Sequence, residues 1–153
     1  MSKEILFKAK RLDNNEWVEG YYVKEPIEND LTGDSLIYVN KTMKVNDLGV
    51  KYYAQDFYEV KSQTVSQYTC LKDINDKKIF EGDILLFKKC ENKYSPKNKL
   101  VIVKWNEKRL NFDLYNKDMS LILFLVWADV VYNCDKIEVI GNIWDDSKLL
   151  EEE

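Results

Sequence analysis

Histidine is absent from this 153-residue chain, and several other residue types are scarce. Cysteine occurs only at Cys70, Cys90 and Cys134, an odd number without a Cys-x-x-Cys spacing. These absences exclude the usual Cys/His zinc sites and histidine-based general acid–base catalysis. We therefore expect no metal and no cofactor, and we expect reduced thiols with no required intramolecular disulfide.

Glycine and arginine are also rare. Five glycines leave no phosphate-binding or dinucleotide-binding glycine pattern. Arg11 and Arg109 are the arginines, and the net charge is -4 with an isoelectric point near 5.1. Binding to duplex DNA requires a cationic face, and arginine is the residue that reads guanine with two hydrogen bonds. We therefore expect no binding to duplex DNA.

Long apolar runs are missing as well. The most hydrophobic stretch, Leu121–Trp127, is too short to span a bilayer, and Met1–Arg11 has no apolar signal core. We expect a cytoplasmic protein with no membrane partner. The chain is 45% hydrophobic and 33% charged, which is typical of a globular domain with a real core.

Strand-forming residues extend over the whole length, and turn-forming residues recur about every ten positions. This spacing favours antiparallel strands. We predict a mainly β fold, α+β at most, as a single domain over residues 1–153 or as two packed halves, 1–64 and 65–153. The first half is expected to form an antiparallel sheet and the second a small SH3-like barrel, with one or two short helices.

The first half begins with a predicted hairpin. Strands at Ile5–Arg11 and Trp17–Val23 flank a turn at Asp13–Asn15, and aromatic residues raise the strand propensity of the second strand. The polar stretch Lys24–Asp34, which contains a proline and a glycine, predicts a loop.

The stretch Val65–Phe87 has the most regular succession of short strands and turns. Asp73–Asp76 has turn chemistry, because Asn and Asp side chains bond the nearby backbone. Gly82 suits a tight turn before a buried apolar strand. Glu81 and Asp83 flank this glycine, and we interpret them as turn residues that bond backbone amides rather than as an acid pair or a metal site.

The apolar stretch Ser120–Tyr132 permits two interpretations. Its periodicity does not separate a short buried helix from a strand, and we favour a short helix capped by Ser120. Lys136–Trp144 is predicted to be the closing strand. Asp145–Glu153 is predicted to be a short helix capped by Ser147 or a frayed tail.

Two sequence blocks resemble the YopX family, small proteins of phages and prophage-like elements in low-GC bacteria. Residues 67–85 read QYTCLKDINDKKIFEGDIL, where family members carry a block like QYTGLKDKNGKEIYEGDIV. Residues 138–144 read EVIGNIW, similar to the family's EVIGNIY, and the N-terminal pattern is similar too. Cys70 and Asp76 depart from the family, which usually has glycine at both positions. The resemblance implies a phage or prophage accessory protein.

Four residues of these blocks are candidate ligand-binding residues: Gln67, Tyr68, Asn142 and Trp144. The two blocks would meet if the last strand closes the barrel, and converging amide and aromatic groups suit a flat polar ligand such as a nucleobase. The alternative is structural. Tyr68 and Trp144 would then be core aromatics, and Asn142 would support a turn or bulge at Gly141.

No serine, threonine or lysine lies in a recognisable catalytic context, so we do not expect an enzyme. The favoured hypothesis is a non-catalytic accessory protein that binds a host protein or a small polar ligand. The alternative is a single-stranded nucleic-acid-binding or regulatory protein.

We also expect the chain to form a homo-oligomer. The run Leu121–Trp127 is apolar on every face, and any part left outside the core would form an interface. Phe124 and Trp127 are the candidate interface residues. The alternative is that this run is the central core element.

Overall fold

The computed structural model describes residues 4–27, 30–87, 99–124 and 137–151. Within them the fold is mainly β, as predicted, and the strands are antiparallel. The strands are β1 Phe7–Lys10, β2 Trp17–Ile27, β3 Asp30–Val45, β4 Lys51–Glu59, β5 Ser66–Lys72, β6 Lys78–Phe80, β7 Asp83–Phe87, β8 Lys99–Asn106, β9 Asn111–Tyr115, β10 Leu121–Phe124 and β11 Ile137–Asn142. Short 3-10 helices occur at Ser62–Thr64 and Ser147–Leu150.

The chain divides into two compact units, Met1–Gln67 and Tyr68–Glu153. In the first unit the strand order is β4-β3-β2-β1, and β1 also pairs with the first residues of β5. The predicted hairpin is confirmed, because β1 and β2 pair from Phe7 opposite Gly20 to Lys10 opposite Trp17. Side chains on one face of these strands form the core of this unit. Ala9, Ile37 and Val60 are buried there, with Phe7, Val18, Tyr22, Val39 and Val65 packed against them.

The loop predicted over Lys24–Asp34 is wrong for the described residues. β2 continues to Ile27 and pairs with β3 from Asp30 onward, so this segment is the end of a long hairpin. Its register shifts between Glu25 and Ile27, on either side of Pro26. Proline has no N–H to donate to the ladder, and the irregular step accommodates it without ending the strand.

The second unit contains a five-stranded antiparallel sheet in the order β10-β9-β8-β7-β11. Its buried face packs with Ile79 of β6 to form the core of this unit. The residues of that face are Leu85, Phe87, Val101, Val103, Leu114, Ile137 and Val139. The predicted SH3-like barrel is wrong for the described residues, because β10 and β11 lie at opposite edges and the sheet is not closed. Closure requires the two edge strands to pair, and evenly spaced short strands occur in open sheets as well.

The short helix favoured for Ser120–Tyr132 is wrong where the structure describes it. Leu121–Phe124 is strand β10, paired with β9. Ser120 caps no helix; its N–H donates to the Asn116 side-chain oxygen at 2.7 Å, within the turn between the two strands. Residues 125–132 lie outside the described residues. The predicted helical turn near the C-terminus is confirmed, but Asp146 rather than Ser147 precedes it, and no side chain caps it.

Helices are short throughout the described residues. None of them is long and apolar enough to cross a membrane.

Candidate functional site

The first family block folds around a bulge in β5. Tyr68 lies opposite Phe80, but four positions later Lys72 lies opposite Lys78, so β5 carries extra residues at this point. The Thr69 hydroxyl donates to the Ile79 carbonyl at 2.8 Å and accepts the N–H of Leu71 at 3.2 Å, which holds the bulge closed.

Cys70 is exposed at the tip of this bulge. Its backbone φ is 67°, in the left-handed region that side chains other than glycine disfavour. Asp76, in the turn that follows β5, also has a left-handed φ of 64°. The two positions at which this sequence lacks the family's glycine are therefore positions where the backbone favours glycine.

Asp73 ties this turn to the last strand. Its Oδ1 accepts the N–H groups of Asn75 and Lys77 at 2.8 and 2.9 Å, and its Oδ2 accepts that of Val139 at 2.9 Å. Burial by itself would raise the pKa of Asp73. The hydrogen bonds from the Val139, Lys77 and Asn75 amides outweigh that effect and hold the pKa below its ordinary value of 3.8. Both carboxylate oxygens of Asp73 therefore accept hydrogen bonds from backbone amides.

The two family blocks meet through strand pairing, without closure of a barrel. β7 and β11 are neighbours, with Ile84 opposite Gly141 and Asp83 opposite Asn142. Gly82 has a left-handed φ of 78°, and a Cβ added there would overlap the ring of Trp144. The Ile143 N–H donates to the Gly82 carbonyl at 2.9 Å. Trp144 therefore lies on the glycine turn.

The candidate ligand-binding residues occupy different surroundings. Tyr68 is buried, and its ring centroid lies 5.4 Å from that of Phe80. Asn142 uses its amide in the turn, where Oδ1 accepts the N–H groups of Trp144 and Asp145 at 3.0 and 3.1 Å. Gln67 is half-buried and belongs to the first unit. The structure brings Asn142 and Trp144 together, and their contacts fit the structural alternative. A ligand at these four residues stays a prediction.

The carboxylates beside Gly82 have backbone partners, in agreement with the structural interpretation of this turn. Asp83 is buried, and its Oδ2 accepts the Phe80 N–H at 2.8 Å. Glu81 accepts the Trp105 N–H at 3.2 Å. In the described part of the chain, no group of three or more acidic or thiol side chains is arranged to hold a metal ion.

These observations do not test whether the candidate interface residues take part in self-association. Phe124 ends strand β10, and its side chain is not among those described. Trp127 lies outside the described residues. Their role in self-association stays a prediction.

A different surface is exposed on the first unit. Tyr21 lies directly opposite Tyr38, and Tyr38 lies directly opposite Phe57, so three aromatic residues form a row across β2, β3 and β4. Tyr21 is 55% exposed and Phe57 is 53% exposed, while Tyr38 is half-buried between them. The rings of Tyr38 and Phe57 are 5.5 Å apart. These residues stand on the side of the sheet opposite Ile37 and Tyr22, which belong to the core.

Two more exposed apolar residues, Met43 and Val45, lie further along β3, beyond the pair formed by Lys41 and Gln55. Tyr38 lies opposite Phe57, but Lys41 lies opposite Gln55, so β3 has one extra residue. That residue reverses the alternation of side chains along β3. Met43 and Val45 consequently share a face with Phe57, and they are 58% and 59% exposed. We name the surface formed by Tyr21, Val23, Tyr38, Met43, Val45 and Phe57 the exposed face.

Charged residues lie at the two ends of the exposed face. At one end the Tyr38 hydroxyl donates to Glu25 at 2.9 Å. This hydrogen bond, together with partial burial, raises the pKa of Tyr38 above its ordinary value of 10.0. Asp34 lies opposite Glu25 and adds a second carboxylate to this end. At the other end Lys51 is exposed and lies opposite Val45.

Gly20 lets β2 and β3 approach each other closely beside the aromatic row. A Cβ at this position would overlap the carbonyl oxygen of Tyr38 and the side chain of Ile37. Glycine is therefore needed for the close approach of β2 and β3, and this approach sets the position of Tyr38.

Sequence reasoning did not find the exposed face. The alternation in Tyr21, Tyr22 and Val23 is a visible signal, but it does not say which aromatic ring faces the core. Only the pairing of Tyr21 with Tyr38 and of Tyr38 with Phe57 reveals a continuous row. The bulge in β3 then places Met43 and Val45 on the same side.

Comparisons with known proteins agree with the fold. A family model described as YopX protein matches residues 6–151. The chain is also similar to a solved structure, that of protein EF1440 from Enterococcus faecalis. The two chains are 22% identical with a TM-score of 0.54, over 97% of this chain and 99% of that one. At this identity the similarity concerns the fold alone. No protein with a curated description matches the chain significantly.

Proposed function

The chain belongs to the YopX family, and from its exposed face we propose that it is a non-catalytic phage or prophage accessory protein that docks another protein. A protein of the bacterial host is the class of partner that we propose. The observation that carries this proposal is the aromatic row, in which Tyr21 and Phe57 are each more than half exposed beside Tyr38.

An aromatic row of this kind is unfavourable in water unless a partner covers it. Contiguous exposed apolar surface is uncommon on monomeric proteins and marks interaction sites. Aromatic side chains are enriched in the cores of protein interfaces, and a few such anchors supply most of the binding energy. A groove lined by Leu12, Asp13, Phe57, Tyr58 and Glu59 opens beside the row and offers a recess for a side chain of the partner.

The absence of catalysis is proposed from how two buried carboxylates, those of Asp73 and Asp83, are used. Asp73 and Asp83 accept hydrogen bonds from backbone amides within their own turns. A general acid or base must be able to reach a substrate. These two carboxylates instead fix the geometry of the turns that join the family blocks.

Single-stranded nucleic acid is a second candidate, favoured by one local feature. The ammonium groups of Lys8 and Lys10 lie 5.0 and 5.5 Å from the ring centroid of Trp17, at the β1 side of the same sheet. Aromatic rings and cations are the groups that bind single strands. The carboxylates of Glu25 and Asp34 lie near the aromatic row and repel phosphate, so we rank this candidate second.

A photo-crosslinking amino acid placed at position 57 tests protein docking. We expect light-dependent adducts with a protein when the Phe57-substituted chain is expressed in its host, because Phe57 is exposed at the row. The matched control carries the same amino acid at position 108, where Lys108 is exposed in the turn between β8 and β9. We expect few adducts from this control.

The result against the proposal is equally specific. If protein adducts form in equal yield at positions 57 and 108, or at neither position, the exposed face is not a docking site. Adducts with nucleic acid alone at position 57, supported by tight binding of a labelled single-stranded oligonucleotide, would favour the second candidate.

A further inference from the structure

We infer that the partner docks through a basic segment, whose arginine or lysine side chain lies between the aromatic row and three carboxylates. This inference rests on the proposed docking function and names the chemistry of the partner. The carboxylates are those of Glu25, Asp34 and Glu59, which we name the acidic end.

Strand register places the acidic end on the same side of the sheet as the aromatic row. Glu59 follows Phe57 by two positions on β4 and lies opposite Leu36 on β3. Asp34 precedes Leu36 by two positions and lies opposite Glu25. Because side chains two positions apart on a strand share a face, the carboxylates lie beside the rings on one side of the sheet.

The Tyr38 hydroxyl connects the aromatic row to the acidic end. It donates to Glu25 at 2.9 Å, although Glu25 lies opposite Asp34, four positions along β3 from Tyr38. The two side chains therefore extend toward each other along the sheet, over the position of Leu36. Leu36 is 3% exposed, so it forms the floor of the surface between the rings and the carboxylates.

The carboxylates of the acidic end form no ion pair within the described part of the chain. The ion pairs found there use other acidic residues. Lys61 lines the same groove as Asp34 and Glu59, but its ammonium group donates to the Asn15 side-chain oxygen at 2.6 Å. Carboxylates that share one patch repel one another, and a cation from a partner offsets that repulsion.

Two grooves that adjoin Glu59 give a basic side chain room. One has a volume of about 410 Å³, and its lining includes Leu12, Phe57 and Glu59. The other has a volume of about 290 Å³, and its lining includes Leu12, Asp34 and Glu59. Leu12 and the Phe57 ring suit the hydrocarbon stem of arginine or lysine, and the carboxylates suit the charged end group.

The same combination of groups holds an arginine of this chain nearby. The guanidinium carbon of Arg11 lies 3.9 Å from the ring centroid of Tyr58, and Arg11 also pairs with the Asp13 carboxylate. An aromatic face beside a carboxylate binds a cation through both the ring and an ion pair. Phe57 and Glu59 offer this combination to a cation from outside the chain.

Cross-linking from position 57 in variants that lack these charges tests the inference. The test variant carries Asp34→Asn and Glu59→Gln. Its matched control carries Asp118→Asn and Glu107→Gln, which remove two charges from exposed turns of the second unit. We expect the yield of protein adducts to fall at least about threefold in the test variant, the effect of losing two exposed ion pairs, and to stay unchanged in the control. Circular dichroism checks the folding of both.

Mass spectrometry of the adducts supplies a second readout. We expect the cross-linked position of the partner to lie within a few residues of an arginine or lysine.

The outcomes separate this inference from the docking function. Adducts that form in equal yield in the two variants, or that map to an uncharged or acidic segment, overturn the basic segment and leave docking in place. Adducts formed solely between two copies of this chain assign the face to a second copy and overturn the basic partner as well. Nucleic-acid adducts alone, or no adducts at position 57 of the otherwise unmodified chain, overturn both proposals.

Discussion

At Cys70 and Asp76 the residue type does not match the backbone conformation. Their φ angles of 67° and 64° lie in the left-handed region, where a Cβ crowds the following carbonyl group. The sequence indicates these positions, because the related block carries glycine at both. It does not give the φ angles, since the same glycines could serve a close approach of backbone to a ligand. At these two positions, backbone conformation accounts for the glycine.

Cys70→Gly should therefore stabilise the chain. Removal of the side chain relieves the left-handed strain, which is about 1 kcal/mol per residue. Cys70→Ala is the matched control, because alanine keeps the Cβ and should bring no comparable gain. Urea unfolding measures both variants. A glycine variant no more stable than the alanine variant would show that the bulge carries no such strain.

Asp73 gives the second prediction at this scale. Asp73→Asn should lower the free energy of unfolding by about 1–3 kcal/mol at neutral pH, because one acceptor oxygen becomes an amide that cannot bond a backbone N–H. Asp118→Asn, which alters an exposed turn residue, is the control.

The pH dependence of Asp73 follows from its lowered pKa. A carboxyl whose pKa is lower in the folded chain than its ordinary 3.8 stabilises the fold above that pH. This contribution is lost as the pH falls through the folded pKa. The stability difference between the chain and Asp73→Asn should therefore narrow in acid. A difference that stays constant from neutral pH down to the acid transition would contradict the role given to Asp73.

At the scale of elements, local patterns predicted strands well and predicted their partners poorly. The β1–β2 hairpin and the strand–turn–strand order of Val65–Phe87 followed from turn residues and alternation. The continuation of β2 through Pro26 did not, because a proline usually ends a strand and only the register shows that a bulge accommodates it. The apolar run at strand β10 has no period that separates a strand from a helix, so the sequence does not predict this strand.

The sequence likewise identifies one candidate site and misses the other. Asn142 and Trp144 were singled out by sequence, and the structure places them in a turn with satisfied contacts. The exposed face depends on which residues lie opposite one another and on one extra residue in β3. Such a register is set by contacts between distant segments, which a single sequence does not specify.

A comparison of Gly49 and Gly82 distinguishes the stability cost of backbone conformation from the cost of packing. Gly49 and Gly82 have similar φ angles, 76° and 78°. A Cβ on Gly49 would meet nothing within 4 Å, whereas one on Gly82 would overlap Trp144. Gly49→Ala should cost about 1–2 kcal/mol for the angle alone. Gly82→Ala should cost about 1–3 kcal/mol more, because the indole must move.

A double variant checks the cause of that difference. In a Trp144→Leu background, Gly82→Ala should cost no more than Gly49→Ala does, as measured by urea unfolding. An extra cost that persists without the indole would mean that the contact between Gly82 and Trp144 does not join the two blocks as described.

At the scale of the whole molecule, each unit has its own buried core, and the exposed face belongs to the first unit. In the second unit, the buried carboxylates of Asp73 and Asp83 hold turns in place. The first unit instead exposes Tyr21, Phe57 and Met43 on one side of its sheet. The proposal that binding takes place on the first unit rests on the aromatic row, which strand pairing aligns on that side.

Methionine oxidation tests that claim most directly, because the chain contains its own control. Met43 is on the exposed face and 58% exposed, while Met119 is 44% exposed in a turn of the second unit. Mass spectrometry can follow the oxidation of both by peroxide in the purified chain and in host cells. We predict that both oxidise in the purified chain, and that oxidation of Met43 alone becomes several-fold slower in host cells. Equal rates for Met43 in the two conditions would contradict docking at the exposed face.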